Sequence, residues 1–68
     1  MSKIMGKIIE YDGNSGIVID KNNIKHIFTK EEVYSSIKVN DLVTFESEIF
    51  STVENKIYIA RFIKLIEK

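Results

Sequence analysis

A chain of 68 residues is long enough for one small hydrophobic core, so we expect a single domain over 1–68. Its apolar content of 44 % excludes intrinsic disorder, and the absence of cysteine excludes disulfides and thiolate metal sites. Ten basic residues balance ten acidic ones, and this neutrality counts against tight non-specific binding to a phosphate backbone. No apolar run approaches the about 20 residues of a membrane span, and no secretory leader opens the chain, so we expect a cytoplasmic protein with no membrane partner.

The first half of the chain predicts three strands joined by two tight turns. Its opening run is rich in β-branched residues, and Gly6 within that run is typical of a strand that bends or approaches another backbone closely. Asp12 and Gly13 form the dipeptide that most strongly indicates a hairpin. Asn22 and Asn23 suit a second tight turn. The predicted strands are 3–11, 16–20 and 24–29, and the predicted turns are 12–14 and 21–23.

The next segment changes from strand signals to helix signals. Thr29 stands three residues before Glu32, which is the spacing of a capping box, in which each side chain bonds the backbone N–H of the other residue. We therefore predict a short helical turn near 30–35. After it, partial alternation of apolar and polar residues predicts a fourth strand at 42–50, followed by a loop at 51–55.

The last element, 56–66, is compatible with two structures. Its apolar residues recur at the spacing of a helix face, at Ile59, Phe62, Ile63 and Ile66. However, β-branched and aromatic residues dominate the segment and no capping residue opens it. We therefore favour a fifth strand.

Five strands with a helical turn between the third and the fourth predict an all-β fold, a five-stranded antiparallel OB-type barrel. Closure of the barrel removes two exposed sheet edges that a chain this short could not otherwise cover. We expect Phe62 to join the core, and His26 to be a half-buried polar residue rather than a catalytic base. The other predicted core residues are Ile8, Tyr11, Phe28, Val43, Phe45, Ala60 and Ile63.

Six short segments stand in an order and spacing that point to a known family. They are GKII at 6–9, Tyr11-Asp12 in place of Phe-Asn, Gly16 after the turn, IFTKEEV at 27–33, KVNDLVTFE at 38–46 in place of a Gly-x-x-Val-x-Phe segment, and ARFI at 60–63 in place of Ala-x-Asn-Val. Over almost its whole length the chain resembles a divergent cold-shock domain. The resemblance implies an OB barrel that binds single-stranded nucleic acid by stacking bases on aromatic rings of strands two and three, with a Trp from strand one.

The rings that stack bases in that family are absent from the corresponding positions. Those positions carry Glu10 in place of the Trp, Ile17 and Ile19 in the first motif, and Ile27, Thr29 and Lys30 in the second. If the alignment with the family shifted by one residue at the turn, Val18 would take the place of its neighbours on the exposed face. Since stacking contributes about 1–3 kcal/mol per base, we expect a dissociation constant of only about 10⁻⁴–10⁻⁶ M. The predicted nucleic-acid-binding residues are Lys7, Glu10, Ile17, Ile19, Ile27, Thr29, Lys30 and Arg61.

Two functions are compatible with these observations. The first is weak, salt-sensitive binding of RNA or single-stranded DNA by an OB-fold module, with an S1-like RNA-binding module as a variant that shares the strand order. The alternative is a protein-interaction or self-associating module, such as a homodimer, that pairs through the apolar sheet face without nucleic acid. The chain has no nucleophile elbow, phosphate loop or metal-ligand motif, so we expect no enzyme, no metal and no cofactor.

Overall fold

The computed structural model describes residues 3–66 and consists mainly of β-strands. The strands are β1 Ile4–Tyr11, β2 Ser15–Asp20, β3 Lys25–Thr29, β4 Leu42–Ser51 and β5 Lys56–Leu65. They close into a barrel in which neighbours follow the order β1-β2-β3-β5-β4, with one 3-10 turn, Lys30–Glu32, between β3 and β4. The predicted all-β five-stranded barrel and the strand predicted for the last element are thus confirmed. Within 3–66, no helix is long or apolar enough to span a bilayer.

The strand directions differ from the prediction at one junction. All neighbouring strands are antiparallel except β3 and β5, which are parallel and share the single pair Ile27 and Ile59. A closed ring with an odd number of strands cannot alternate direction at every junction. One parallel pair is therefore unavoidable in a five-stranded barrel, and here it lies between β3 and β5.

Apolar side chains that alternate inward along the strands fill the barrel. Six of the eight predicted core residues are buried, and a seventh, Tyr11, is partly buried with its ring centroid 5.5 Å from that of Phe28. Val18 is completely buried, so its neighbours on β2 face outward. His26 is only 2 % exposed, and the expected half-burial of this residue was wrong. The buried apolar residues are Ile8, Val18, Phe28, Val43, Phe45, Ala60 and Ile63.

Phe62 lies outside the core, contrary to the prediction. A bulge in β5 opposite Phe45 holds Phe62 at φ 56°, in the left-handed region, and leaves 45 % of the side chain exposed. Ile63 takes the inward position instead. The ring of Phe62 meets Tyr34 edge to face, with 5.9 Å between the ring centroids. The extra residue of the bulge shifts the inward and outward alternation of β5, so that Ala60 and Ile63 are both buried and Phe62 between them is not.

The predicted capping box does not form. Thr29 has an extended backbone and makes no capping hydrogen bond with its side chain, while Glu32 binds Arg61 on β5. A charged guanidinium is a stronger hydrogen-bond partner than a neutral backbone N–H, and Glu32 therefore binds Arg61 rather than the backbone of Thr29. The helical turn is also shorter than the predicted 30–35, because Val33 leaves it to form a parallel bridge with β5.

Candidate functional site

The outer faces of β1, β2, β3 and β5 form one surface whose side chains are placed by strand register. Ile17 on β2 lies opposite Glu10 on β1 and Ile27 on β3. Ile27 in turn pairs with Ile59 on β5. The bulge that precedes Glu10 shifts the phase of β1, so that Glu10 faces outward and Tyr11 returns toward the core. One row of side chains, three isoleucines and a glutamate, therefore crosses four strands.

This row lines an open groove with a volume of about 740 Å³. The groove lies where β3 and β5 share only one residue pair, so the barrel wall is least tightly joined there. Its apolar part comes from Ile17, Ile27 and Ile59, and Ile27 is 47 % exposed. Polar side chains at its margins include Glu32 and Arg61. We call this hollow the groove, and the lining residues that bear on its charge and apolar character are Glu10, Asp12, Ile17, Ile27, Thr29, Glu32, Ile59 and Arg61.

Arg61 is held by two carboxylates. Its Nη1 donates to Glu32 Oε2 at 2.7 Å, while its Nε donates to Glu48 Oε1 at 2.9 Å and its Nη2 lies 2.8 Å from the same oxygen. The hydrogen bonds to Glu32 and then to Glu48 raise the pKa of Arg61 above its usual value. The predicted phosphate contact thus lies in the groove, but both sides of its guanidinium are already engaged.

Asp12 adds a further negative charge at the turn between β1 and β2. Its Oδ1 accepts hydrogen bonds from the backbone N–H groups of Asn14 at 2.8 Å and Ser15 at 2.9 Å. The bonds from Ser15 and then Asn14 lower the pKa of Asp12, so the carboxylate remains ionised at neutral pH. Together with Glu10 and Glu32, it gives the groove three carboxylates against the single guanidinium of Arg61.

The opposite end of the same face is basic. Lys7 on β1 and Lys25 on β3 lie on either side of Ile19 on β2, in direct cross-strand register. Lys3 and Lys21 line a second hollow of about 360 Å³ next to them. All four lysines are exposed, and none takes part in the ion pairs found among residues 3–66. Below, the basic end means Lys3, Lys7, Ile19, Lys21 and Lys25.

A buried polar cluster supports the β2–β3 turn beneath the basic end. Nε2 of His26 lies 2.9 Å from Asp20 Oδ2, and its Nδ1 lies 3.1 Å from Ser47 Oγ. Asp20 also accepts hydrogen bonds from the backbone N–H groups of Asn22 at 2.8 Å and Ile24 at 3.1 Å. Burial opposes ionisation of Asp20, but the hydrogen bond from His26 and the two backbone bonds outweigh it and lower the pKa of this carboxyl.

The cluster joins a carboxylate, an imidazole and a hydroxyl in the same order as the catalytic triad of a serine hydrolase. A catalytic base must reach its substrate, however, and His26 is 2 % exposed. Its ring is enclosed by Phe45 and Tyr58, with centroids at 4.9 Å and 5.4 Å. Neither of the two hollows described above includes Ser47 or His26 in its lining. The contacts indicate a cluster that holds the turn in shape.

The structure divides the predicted nucleic-acid-binding residues between the two ends of the face. Lys7 and Ile19 lie at the basic end, and Lys30 is exposed in the 3-10 turn outside both hollows. The other five line the groove: Glu10, Ile17, Ile27, Thr29 and Arg61.

Sequence analysis missed several members of both regions. Lys25 could have been found, because it alternates with inward-facing His26 along β3 and must therefore face outward. Lys3 and Lys21 come close only when β1 and β2 pair, and no local pattern signals that. Glu32 was assigned to a helix cap because its partner Arg61 lies 29 residues away.

In comparisons with known proteins, no family model and no curated protein sequence matches this chain. The fold is therefore assigned from the barrel itself. A small closed barrel of five strands in the order β1-β2-β3-β5-β4 is consistent with an OB-like fold.

Proposed function

We propose that this protein is a cold-shock-like OB module that binds single-stranded nucleic acid weakly at its basic end. The observation that carries the proposal is the pair of exposed lysines, Lys7 and Lys25, that flank Ile19. Two more exposed lysines, Lys3 and Lys21, line the second hollow, just before β1 and in the turn after β2. OB-fold proteins bind single strands by combining a positively charged surface for the phosphates with side chains that contact the bases. The resemblance of the sequence to cold-shock domains favours the same class of ligand.

The register of the lysines suits a strand that crosses the sheet. Lys7 and Lys25 are each one strand away from Ile19, so their backbones are separated by two strand spacings, about 10 Å. Two ammonium groups therefore flank one apolar side chain. A phosphate can approach each lysine while a base packs against the isoleucine between them.

The apolar part of this surface explains why binding is weak. Ile19 and Met5, which is 61 % exposed, offer aliphatic contacts but no flat aromatic ring. The ligand therefore lacks the stacking contribution of about 1–3 kcal/mol per base. Most of the affinity comes from phosphate contacts and falls as salt is added.

The number of lysines sets the expected salt dependence. Each phosphate contact to a single strand contributes about −0.7 to the slope of log K against log salt concentration. Four lysines therefore predict a slope of about −3. The three carboxylates of the groove discourage the strand from continuing in that direction.

The proposal is tested by NMR titration of the ¹⁵N-labelled protein with oligo-U and oligo-dT at 50 and 200 mM salt. We expect amide shifts at Lys7, Ile19 and Lys25 that weaken as salt rises. The double variant Lys7→Gln/Lys25→Gln should bind about tenfold or more weakly at low salt, because it removes two phosphate contacts. Lys56→Gln, which removes one exposed charge on the β4–β5 hairpin, is the control for a charge outside the basic end and should bind as the parent does.

Three results would contradict this function. The first is an absence of shifts even at low salt. The second is equal loss of affinity in the Lys56→Gln control, which would indicate a response to net charge alone. The third is dimerisation that Ile19→Lys abolishes, because it would assign the basic end to contact with a second copy.

A further inference from the structure

We propose that the groove binds an extended, basic peptide segment of a partner protein, on a surface separate from the nucleic-acid site. This assigns to the groove a ligand of a different class, with positive charge and branched apolar side chains. The proposal is independent of nucleic-acid binding, because it concerns the opposite end of the face.

The shape of the groove suits an extended chain. Ile17, Ile27 and Ile59 lie side by side on adjacent strands, so the apolar contact runs across the sheet as a line rather than a deep pit. An extended peptide presents every second side chain to one side, and branched apolar residues at that spacing can contact such a line. Ile27 is 47 % exposed without a ligand, so this contact would bury apolar surface that water now covers.

The charge of the groove selects against a polyanion and in favour of a cation. Glu10 and Asp12 stand at the margin formed by β1 and the turn after it, and Glu32 stands at the opposite margin on the 3-10 turn. Arg61 is the only basic residue among the groove residues defined above, and its guanidinium is already engaged by Glu32 and Glu48. Arg61 offsets only one of the two carboxylates that hold it, so the Glu32 margin keeps a net negative charge. A phosphate would therefore meet negative charge on both sides, whereas lysine or arginine side chains at the two ends of a peptide would meet carboxylates.

The exposed apolar hairpin of β4 and β5 does not have the chemistry of this ligand. Its tip exposes Ile49, Phe50 and Ile57, but the hairpin also carries Glu46, Glu48 and Glu54 with only Lys56 to offset them before Arg61. Docking of this hairpin from a second copy would bring acidic residues to an acidic groove. A basic segment is the better complement.

The test uses two synthetic hexapeptides with blocked ends. One has lysine at each end and alternating isoleucine and threonine between them, and the other has glutamate in place of both lysines. We expect the lysine peptide to shift the amides of Glu10, Ile17 and Ile27 and to bind at least tenfold more tightly than the glutamate peptide. Sedimentation velocity of the free protein at the same concentration should show a monomer.

Two pairs of variants test the site. Glu10→Gln and Ile27→Thr should each weaken binding of the lysine peptide at least threefold. Their matched controls, Glu54→Gln and Ile57→Thr, change similarly exposed residues on the β4–β5 hairpin and should leave peptide binding unchanged. All four positions are exposed, so each variant should keep the dispersed amide spectrum of the folded barrel. If Glu10→Gln and Ile27→Thr bind the lysine peptide at the parental level, the assignment of the groove as the peptide site is overturned.

Four further results would overturn the proposal. They are no binding of the lysine peptide, equal binding of both peptides, amide shifts confined to the basic end, and self-association that the peptide reverses. The last result would identify the occupant as a second copy of this chain. If the Glu10→Gln variant binds oligo-U at or above the parental level, the peptide site and the nucleic-acid site are separate. A negative result with the lysine peptide would then overturn only the peptide proposal, and the oligo-U titration would still test nucleic-acid binding.

Discussion

The basic end and the groove lie on the same strands, yet they present opposite charge to a ligand. At the basic end, Lys7 and Lys25 flank Ile19 and remain exposed. Two or three residues further along the same strands, Ile17 and Ile27 share a row with Glu10. A face with one backbone architecture and similar aliphatic side chains therefore carries two surfaces of opposite charge.

This difference shows how little the net charge says about a small protein. Ten basic and ten acidic residues cancel over the chain, but the pairing of strands gathers the charges into separate regions. A typical single-strand platform extends its cationic surface along the whole face. Here the cationic surface ends where the groove begins, and the only arginine of the chain is paired within the groove.

The largest expected effect comes from the core that both regions share. Phe45 is completely buried against the other core residues, and Phe45→Ala should destabilise the fold by about 3–5 kcal/mol. Both binding activities should then be lost together, which urea denaturation and the two titrations can show. Phe50→Ala on the hairpin, where the ring is 47 % exposed, should cost much less. A Phe45→Ala variant that unfolds at the parental urea concentration would contradict the core assignment.

Acid should weaken the structure of the basic end more than that of the groove. The folded pKa of Asp20 is lowered, so its contribution to stability is present above the unfolded value of about 4 and is lost as pH falls through the lower folded pKa. Asp20→Asn should remove this part of the acid dependence and destabilise the protein at neutral pH by about 1–3 kcal/mol. The amide keeps Oδ1 for the two backbone N–H groups, but it places an NH₂ donor where Oδ2 accepts from His26, and its remaining bonds are no longer charge-assisted.

Amide hydrogen exchange at pH 7 and near pH 3 provides the measurement. Protection of the β2–β3 turn, which carries Lys21 at the basic end, should decrease more on acidification than protection around Ile59. Asp12→Asn is the control, since Asp12 also has a lowered pKa but is exposed and bonds only to its own turn. Equal loss of protection in both regions would show that Asp20 does not act locally.

Reversing one charge in the groove should reduce the electrostatic difference between the groove and the basic end. Glu10→Lys replaces a carboxylate of the groove by an ammonium group next to Ile17. We expect oligo-U to bind several-fold more tightly at low salt, with a salt slope steeper by about 0.7 and new amide shifts in the groove. Glu54→Lys makes the same change of net charge on the hairpin and should have little effect. An unchanged slope for Glu10→Lys would indicate that single strands do not reach the groove even when its charge permits it.

The smallest effect is expected at the bulge beside the groove. Phe62→Gly relieves a left-handed backbone that costs a non-glycine residue about 1–2 kcal/mol, but it also loses the contact of the ring with Tyr34, which contributes about 0.5–1.5 kcal/mol. The two terms nearly cancel, so the free energy of unfolding should change by less than about 1 kcal/mol. A loss above about 2 kcal/mol in thermal denaturation would show that Phe62 supports the core after all.

Most of the fold could be predicted because its signals are local. The Asp12-Gly13 turn, the alternation of β3 and the β-branched composition of β5 each describe a few neighbouring residues. The errors arose where distant contacts overrode such signals. Glu32 left its expected cap for Arg61, and the bulge opposite Phe45 turned Phe62 outward.

The candidate site was only partly predictable for the same reason. The resemblance to cold-shock domains placed Ile19 and Ile27 on the outer face, and alternation within a strand indicates which other side chains share that face. It does not indicate which charges stand beside them, because that depends on the register between strands. Lys3 and Lys21 line one hollow because β1 pairs with β2. Arg61 binds Glu32 because the 3-10 turn passes beside β5.

The sequence by itself determined an all-β barrel of five strands, most of its core and the aliphatic character of its outer face. These properties depend on residue periodicity and turn chemistry, which act over a few residues. Only the tertiary structure decided that the face has a basic end and an acidic groove. Cross-strand register and two bulges set the neighbours of each charge, and the electrostatic interaction of charged groups depends on their distance in space rather than their separation along the chain.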